Sequence, residues 1–182
     1  ALNEEKPSNA DFLFKKKIGI HIEDEVRKRI QAGLAITAVP PQVKEAQGGQ
    51  DIVIKLADEI VYYIEVKSRW DVRYSIRMSK TQAQNAVNNK DKYALCCVDM
   101  TNYNALAAEG VSIEQIIPQT RFLTNIGHVT EPLIQNAMSV DTTTEVHLTG
   151  DYGAVVPQEV IKNEGISFDE FIKHLVQQLK LD

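Results

Sequence analysis

The chain has 182 residues, is 43% hydrophobic and carries a formal net charge of −5. Its length suits one domain of ~100–200 residues, and its hydrophobic content excludes a wholly disordered chain. No apolar run approaches the ~18 residues of a membrane span, and the polar start ALNEEKPSNA does not read as a signal peptide. Cys96 and Cys97 are the only cysteines and are adjacent, which excludes a disulfide framework and favours a reducing, cytoplasmic setting.

Residues 1–10 lack apolar periodicity and read as a flexible arm, leaving 11–182 as a single domain. Ile18, Ile22, Val26 and Ile30 recur every four residues and predict a helix over about 18–32. Gly33, Pro40 and Pro41 end it, and 40–50 read as a loop. IVIKLA (52–57) and EIVYYIEVK (59–67) predict a strand pair turning at Ala57–Glu59, and VRYSIRM (72–78) a third strand. Ser79 with Gln82 forms a capping box opening a helix over 79–89. YALCCVDM (93–100) has the continuous apolar character of a buried central strand, which makes both cysteines core residues. Farther on, a short helix at 112–117, a strand at 121–126, a helix at 131–138 and a strand pair at 145–156 are expected. Ser167 and Glu170 form a second capping box. Phe168, Phe171, Ile172, Leu175, Val176 and Leu179 make one apolar stripe behind it. These elements predict an α/β domain, a mixed central sheet flanked by helices.

The stretch GGQDIVIKLADEIVYYIEVKSRW (48–70) concentrates the chemistry. Strand alternation puts Glu65 and Lys67 on one face with Val61 and Tyr63, and Ile60, Tyr62, Ile64 and Val66 on the other. Two charges on a hydrophobic strand are costly unless paired or metal-bound. Directly opposed residues of a hairpin share a face. A loop of odd length, or a bulge, therefore brings Asp51 opposite Glu65, whereas an even loop at 58–59 sends it to the wrong side. Two converging carboxylates suit Mg²⁺ or Mn²⁺. Such an ion activates water and polarises a phosphoryl oxygen, and an adjacent lysine offsets charge developing on the phosphate.

Asp51, thirteen intervening residues, then Glu65-Val66-Lys67 resembles the PD-(D/E)xK nuclease signature, with Gln50-Asp51 in place of its leading pair. Together GIHIEDEV (19–26), GQDI (49–52), YYIEVKS (62–68), MSKTQAQNA (78–86) and YALCCV (93–98) resemble the restriction-endonuclease-like domain at the C-terminus of NO VEIN-type proteins. The resemblance covers about 18–100 and leaves 101–182 as an extension. It implies a restriction endonuclease-like fold and a Mg²⁺-dependent phosphodiesterase acting on DNA, in DNA processing or defence. It also implies a module often set in a larger protein. By it, Asp51 and Glu65 are metal ligands, joined by the Val66 carbonyl and by Glu23 on the first helix. Lys67 assists the attacking water, and Gln82 is the polar residue on the helix after the third strand.

Each role has a plainer competitor. Asp51, Glu65 and Lys67 also suit a surface ion pair, Glu23 a solvated helix face, and Gln82 its capping box alone. His21, His128, His147 and His174 lack ligand spacing, and Ser68 has no evident His–acid partner. Arg69, Arg73 and Arg77, spaced by four, would share one face of a continuous strand with Lys80 just beyond. Arginine forks match phosphate, so the four are candidate nucleic-acid contacts, against the alternative of charges kept for solubility. The charge is also divided. Residues 1–92 hold 16 basic and 13 acidic side chains, a net +3, and 93–182 hold 4 and 12, a net −8. The acidic half suits a partner protein or a second copy, and a homodimer would supply two sites for cutting both strands. The alternative function is a catalytically silent module of the same fold that binds nucleic acid or a partner.

Overall fold

The apolar stripe of the first helix is its buried face. Ile18, Ile22, Val26, Ile30 and Leu34 are each at most 2% exposed, each stabilising by about 1.5–3 kcal/mol through burial. In the computed structural model, which describes residues 9–46, 51–103, 110–136, 144–150 and 153–182, helix α1 runs Asn9–Leu34. It thus starts inside the expected arm: Asn9 and Ala10 are helical, and residues 1–8 lie outside the described residues.

Five strands form the main sheet in the order β1-β2-β3-β5-β6. They are β1 (Gln42–Glu45), β2 (Ile52–Leu56), β3 (Glu59–Arg69), β5 (Tyr93–Asp99) and β6 (Thr120–Leu123). Only the central β3–β5 pair is parallel, so the sheet is mixed, as the element pattern predicts. The β3–β5 crossover passes through strand β4 (Ile76–Met78) and helix α2 (Lys80–Asn89). β4 does not extend the main sheet. It joins a three-stranded antiparallel sheet with β7 (His147–Leu148) and β8 (Ala154–Val156), in the order β4-β8-β7.

Helices α3 (Ile113–Ile116), α4 (Ile126–Gln135), α5 (Gln158–Glu164) and α6 (Phe168–Leu179) complete the described α-helices, and short 3-10 turns lie at Lys90–Lys92 and Ile117–Gln119. One core cluster joins α1, α3 and α6 to the sheet face bearing Ile52, Ile54, Tyr62, Ile64, Val66 and Cys96. The other joins α2, α4, α5 and the small sheet to the face bearing Tyr93, Leu95, Cys97 and Leu123. Both cysteines are buried and free, as core residues should be.

Both predicted capping boxes form, at Ser79–Gln82 and at Ser167–Glu170. The α6 stripe packs against Tyr62 and Phe122, with the Phe122 and Phe171 rings stacked at 4.0 Å between centroids. Two elements go beyond the sequence reading. β1 lies in the expected 40–50 loop, of which 47–50 are outside the described residues, and α5 was not anticipated. α4 begins earlier than expected, and residues 137–138 of that predicted helix and 151–152 of the predicted strand pair lie outside the described residues. No described helix is long and apolar enough to cross a membrane.

Candidate active site

The β2–β3 hairpin sets the site. Its turn is the two-residue Ala57-Asp58, both with positive φ (48° and 66°), the type I′ geometry that matches strand twist. An even loop alone would send Asp51 to the wrong face. A bulge opposite Ile54/Lys55 corrects it: near the turn Leu56 pairs with Glu59, and beyond the bulge Ile54, Val53 and Ile52 pair with Tyr62, Tyr63 and Ile64. Continued by one residue, that register sets Asp51 opposite Glu65, as the parity argument requires. The bulge also corrects one assignment made from simple alternation: Val61 packs into the α1–α6 side instead of sharing the face of Tyr63.

Beyond Ile52 the β2 strand stops, and among the described residues no strand pairs with β3 on that side. The Asp51 carboxylate fills the position and accepts the Val66 N–H at 2.7 Å. N–H and C=O of one strand residue leave on the same side, so the Val66 carbonyl also points toward Asp51. Glu65 is 1% exposed. Its Oε1 accepts from the Gln82 side-chain amide and lies 3.4 Å from the Lys67 ammonium, while its Oε2 is buried without a partner. Gln82 performs both candidate roles at once. Its Oε1 accepts the Ser79 N–H to close the capping box, and its Nε2 turns to Glu65.

Three carboxyls are held above their ordinary range. Burial, then the neighbouring Asp51, pushes Glu65 up to about 8. Burial, Asp51 and Glu45 push Glu23, half-buried on α1, up to about 7. Burial raises Asp51 against the opposing pull of the Val66 N–H and Lys67. Glu23 therefore senses the site across the sheet edge. It does not join the others in a tight cluster: among the described residues no three His, Cys, Asp or Glu side chains are grouped to hold one ion.

Two groups at the site were missed in the sequence. Glu45 acts on Glu23 from β1, an element too short and polar to stand out. The Tyr93 hydroxyl is buried without a partner, and burial, Glu65 and Asp51 raise its pKa and keep it a proton donor. Tyr93 reads as one more residue of an apolar run. Only the parallel β3–β5 register, which pairs it with Tyr63, brings it to the face of Glu65.

The arginines do not lie on one continuous strand. β3 ends at Arg69, and a turn closed by Tyr74 N–H to Asp71 O (3.1 Å) intervenes before β4. The Asp71 carboxylate stabilises that turn by accepting both the Arg73 backbone N–H and its guanidinium. Arg69 pairs with Asp99 at 3.0 Å, and Arg77 is exposed on the small sheet. The three nevertheless line one surface depression of about 440 Å³. Lys80 lies exposed in the first turn of α2. His21, His128 and His174 contact Val111 O, Asp91 and Tyr62 separately, His147 lies on β7, and Ser68 accepts from the Trp70 indole.

Fold and site together define an α/β domain with a mixed sheet and an acidic pair, Glu65 buried and Asp51 half-buried, beside the central strand β3. The family profile described as Protein NO VEIN, C-terminal, matches residues 16–108, just over half of the chain. The chain belongs to this family. The matched stretch contains α1 from Lys16 onward, the Asp51–Glu65–Lys67 hairpin, α2 and β5. No curated protein matches the chain.

Proposed function

We propose that the chain is a metal-dependent phosphodiesterase of restriction endonuclease-like fold, acting on nucleic acid and specifically on DNA. The observation that carries this reading is the convergence of Asp51 and Glu65 beside Lys67, with a buried Glu65 oxygen left unpartnered. The donors fit a hard divalent cation: two carboxylates and a backbone carbonyl, all oxygen. Mg²⁺ commonly takes only one or two carboxylates and keeps several waters, so the absence of a three-residue cluster among the described residues is compatible with it. When bound, the ion would polarise a phosphoryl oxygen and lower the pKa of a water.

The chain's own residues do the positioning. The Val66 N–H fixes Asp51, Gln82 fixes Glu65, and the Lys67 ammonium lies where it can offset charge on a phosphate. Glu23 adds negative potential that favours a cation. Arg69, Arg73, Arg77 and Lys80 would contact the backbone of the nucleic acid, now around one depression instead of along a strand.

A second reading, a catalytically silent module of the same fold, is favoured by the missing three-residue cluster and by Arg69 and Arg73 being paired with acids. Nicking and cleavage of supercoiled and linear DNA with Mg²⁺ or Mn²⁺ separates the two. The wild-type chain is expected to cut, and Asp51→Ala, Glu65→Ala and Lys67→Ala each to lose at least a hundredfold. Cleavage that survives all three substitutions rejects the site, and DNA binding without cutting in either metal favours the module.

A further inference from the structure

A second polar cavity lies on the sheet face that carries Glu65 and Lys67, displaced toward the C-terminal end of β3. Along β3, residues 65, 67 and 69 share this face, so Arg69 follows Glu65 by about 13 Å of strand. The cavity lies over β3, β5 and β6, is covered by α5, and has a volume of about 190 Å³. Its charged and polar lining consists of Arg69, Arg121, Lys162, Asp99, Gln119 and Gln158. Three cations against one carboxylate give a surplus of positive charge.

The arrangement of that charge is unusual for a structural ion pair. The Arg69 side chain is only 10% exposed. One NH₂ group meets Asp99 at 3.0 Å and the other meets the Val72 carbonyl at 3.3 Å, while its Nε is buried with no partner. Asp99 is further occupied by the Thr101 N–H and hydroxyl. Among the described residues Arg121 donates to the carbonyls of Thr120 and Pro118. Neither Arg121 nor Lys162 has a carboxylate at salt-bridge distance among the described residues. The buried Arg69 guanidinium costs free energy unless anionic partners compensate it; Asp99 is the one carboxylate in the lining, and Glu170 acts on Arg121 from an exposed position at the start of α6.

We infer that this cavity is a phosphate-binding site in which Arg69, Arg121 and Lys162 hold a single phosphate group. Arginine forks match phosphate geometry, and the two glutamines supply neutral donors. Size restricts the ligand. The volume equals about six waters at ~30 Å³ each and falls below the ~300 Å³ at which pockets begin to enclose a whole small molecule. The group is therefore an inorganic phosphate or the terminal phosphate of an oligonucleotide whose remainder lies outside. The site shares Arg69 with the proposed nucleic-acid contacts, but none of its residues belongs to the Asp51–Glu65–Lys67 set, so it stands whether or not that set holds a metal.

The test is titration of the full chain in EDTA with inorganic phosphate, against chloride at matched ionic strength. It is followed by calorimetry and by the fluorescence of Trp70, the one tryptophan and the neighbour of Arg69. Binding is expected to saturate, to weaken at least tenfold in Arg121→Gln and in Lys162→Gln, and to persist in Asp51→Ala. Both charge variants lie at the rim, and circular dichroism checks that they fold. Tighter binding of a 5′-phosphorylated oligodeoxynucleotide than of its 5′-hydroxyl counterpart assigns the site to nucleic-acid ends, and equal binding of the two assigns it to free phosphate. Heat and fluorescence changes no larger than those of chloride, or affinity unaltered in both rim variants, overturn the proposal.

Discussion

Glu65 concentrates the cost and the use of the site in one side chain. Its carboxyl is buried, one oxygen has no partner, and it holds its proton up to about 8. The unfolded chain would release that proton near the ordinary value of 4.5. Between these pH values the folded state binds more protons, so stability falls as pH rises through the window, and Glu23, pushed up to about 7, acts in the same direction. In EDTA the melting temperature is expected to decline from pH 5 to pH 8, and Glu65→Gln is expected to flatten the decline. A wild-type melting temperature that is level or rising over that range would contradict the burial argument. Mg²⁺ competes with these protons, so it should raise the melting temperature more at pH 8 than at pH 5. Gln82 makes a sharper substitution. Gln82→Glu keeps an oxygen for the Ser79 N–H but sets a second carboxylate on Glu65, whereas Gln82→Ala loses both bonds. Each is expected to cost about 1–2 kcal/mol in denaturant unfolding, with the Glu variant losing more at pH 8 than at pH 5.

At the level of elements, the β2–β3 hairpin decides whether a site exists at all. Ala57 and Asp58 occupy the left-handed region, which costs L-residues roughly 1–2 kcal/mol. Asn-Gly suits a type I′ turn far better. Replacing Ala57-Asp58 with Asn-Gly is expected to stabilise the domain by about 1 kcal/mol in thermal unfolding, and a neutral result would argue against this turn. The α2–α4 contact makes the opposite prediction. A Cβ on Gly127 would clash with the Ala86 carbonyl oxygen, a backbone atom that cannot step aside. Gly127→Ala should therefore cost about 3 kcal/mol, at the upper end of overpacking, and displace the helix that supports Gln82. The local signals of these elements were legible in the sequence: the four-residue stripe of α1, the two capping boxes and the unbroken apolar run of β5. β1 and α5 were not, because four polar-flanked residues and a seven-residue helix without a side-chain cap carry too little pattern.

For the whole molecule, the sheet separates two cores, and the acidic pair lies where the neighbouring strand stops. The Asp51–Glu65 pairing was legible because hairpin parity is a local rule, and it required only that a bulge compensate an even turn. Tyr93 and the arginine arrangement were not, because they depend on a parallel crossover and on β4 leaving for a second sheet. The net charge of −5 remains compatible with a nucleic-acid partner, since the first half is net positive and contains the Asp51–Glu65–Lys67 site. The central claim is that Asp51 and Glu65 together hold a divalent ion. Anomalous scattering from crystals soaked in Mn²⁺ addresses it most directly. A manganese peak between the two carboxylates, lost in Glu65→Gln, is the result this structure predicts. Well-diffracting soaked crystals with no peak there, or with manganese bound only elsewhere, would contradict it.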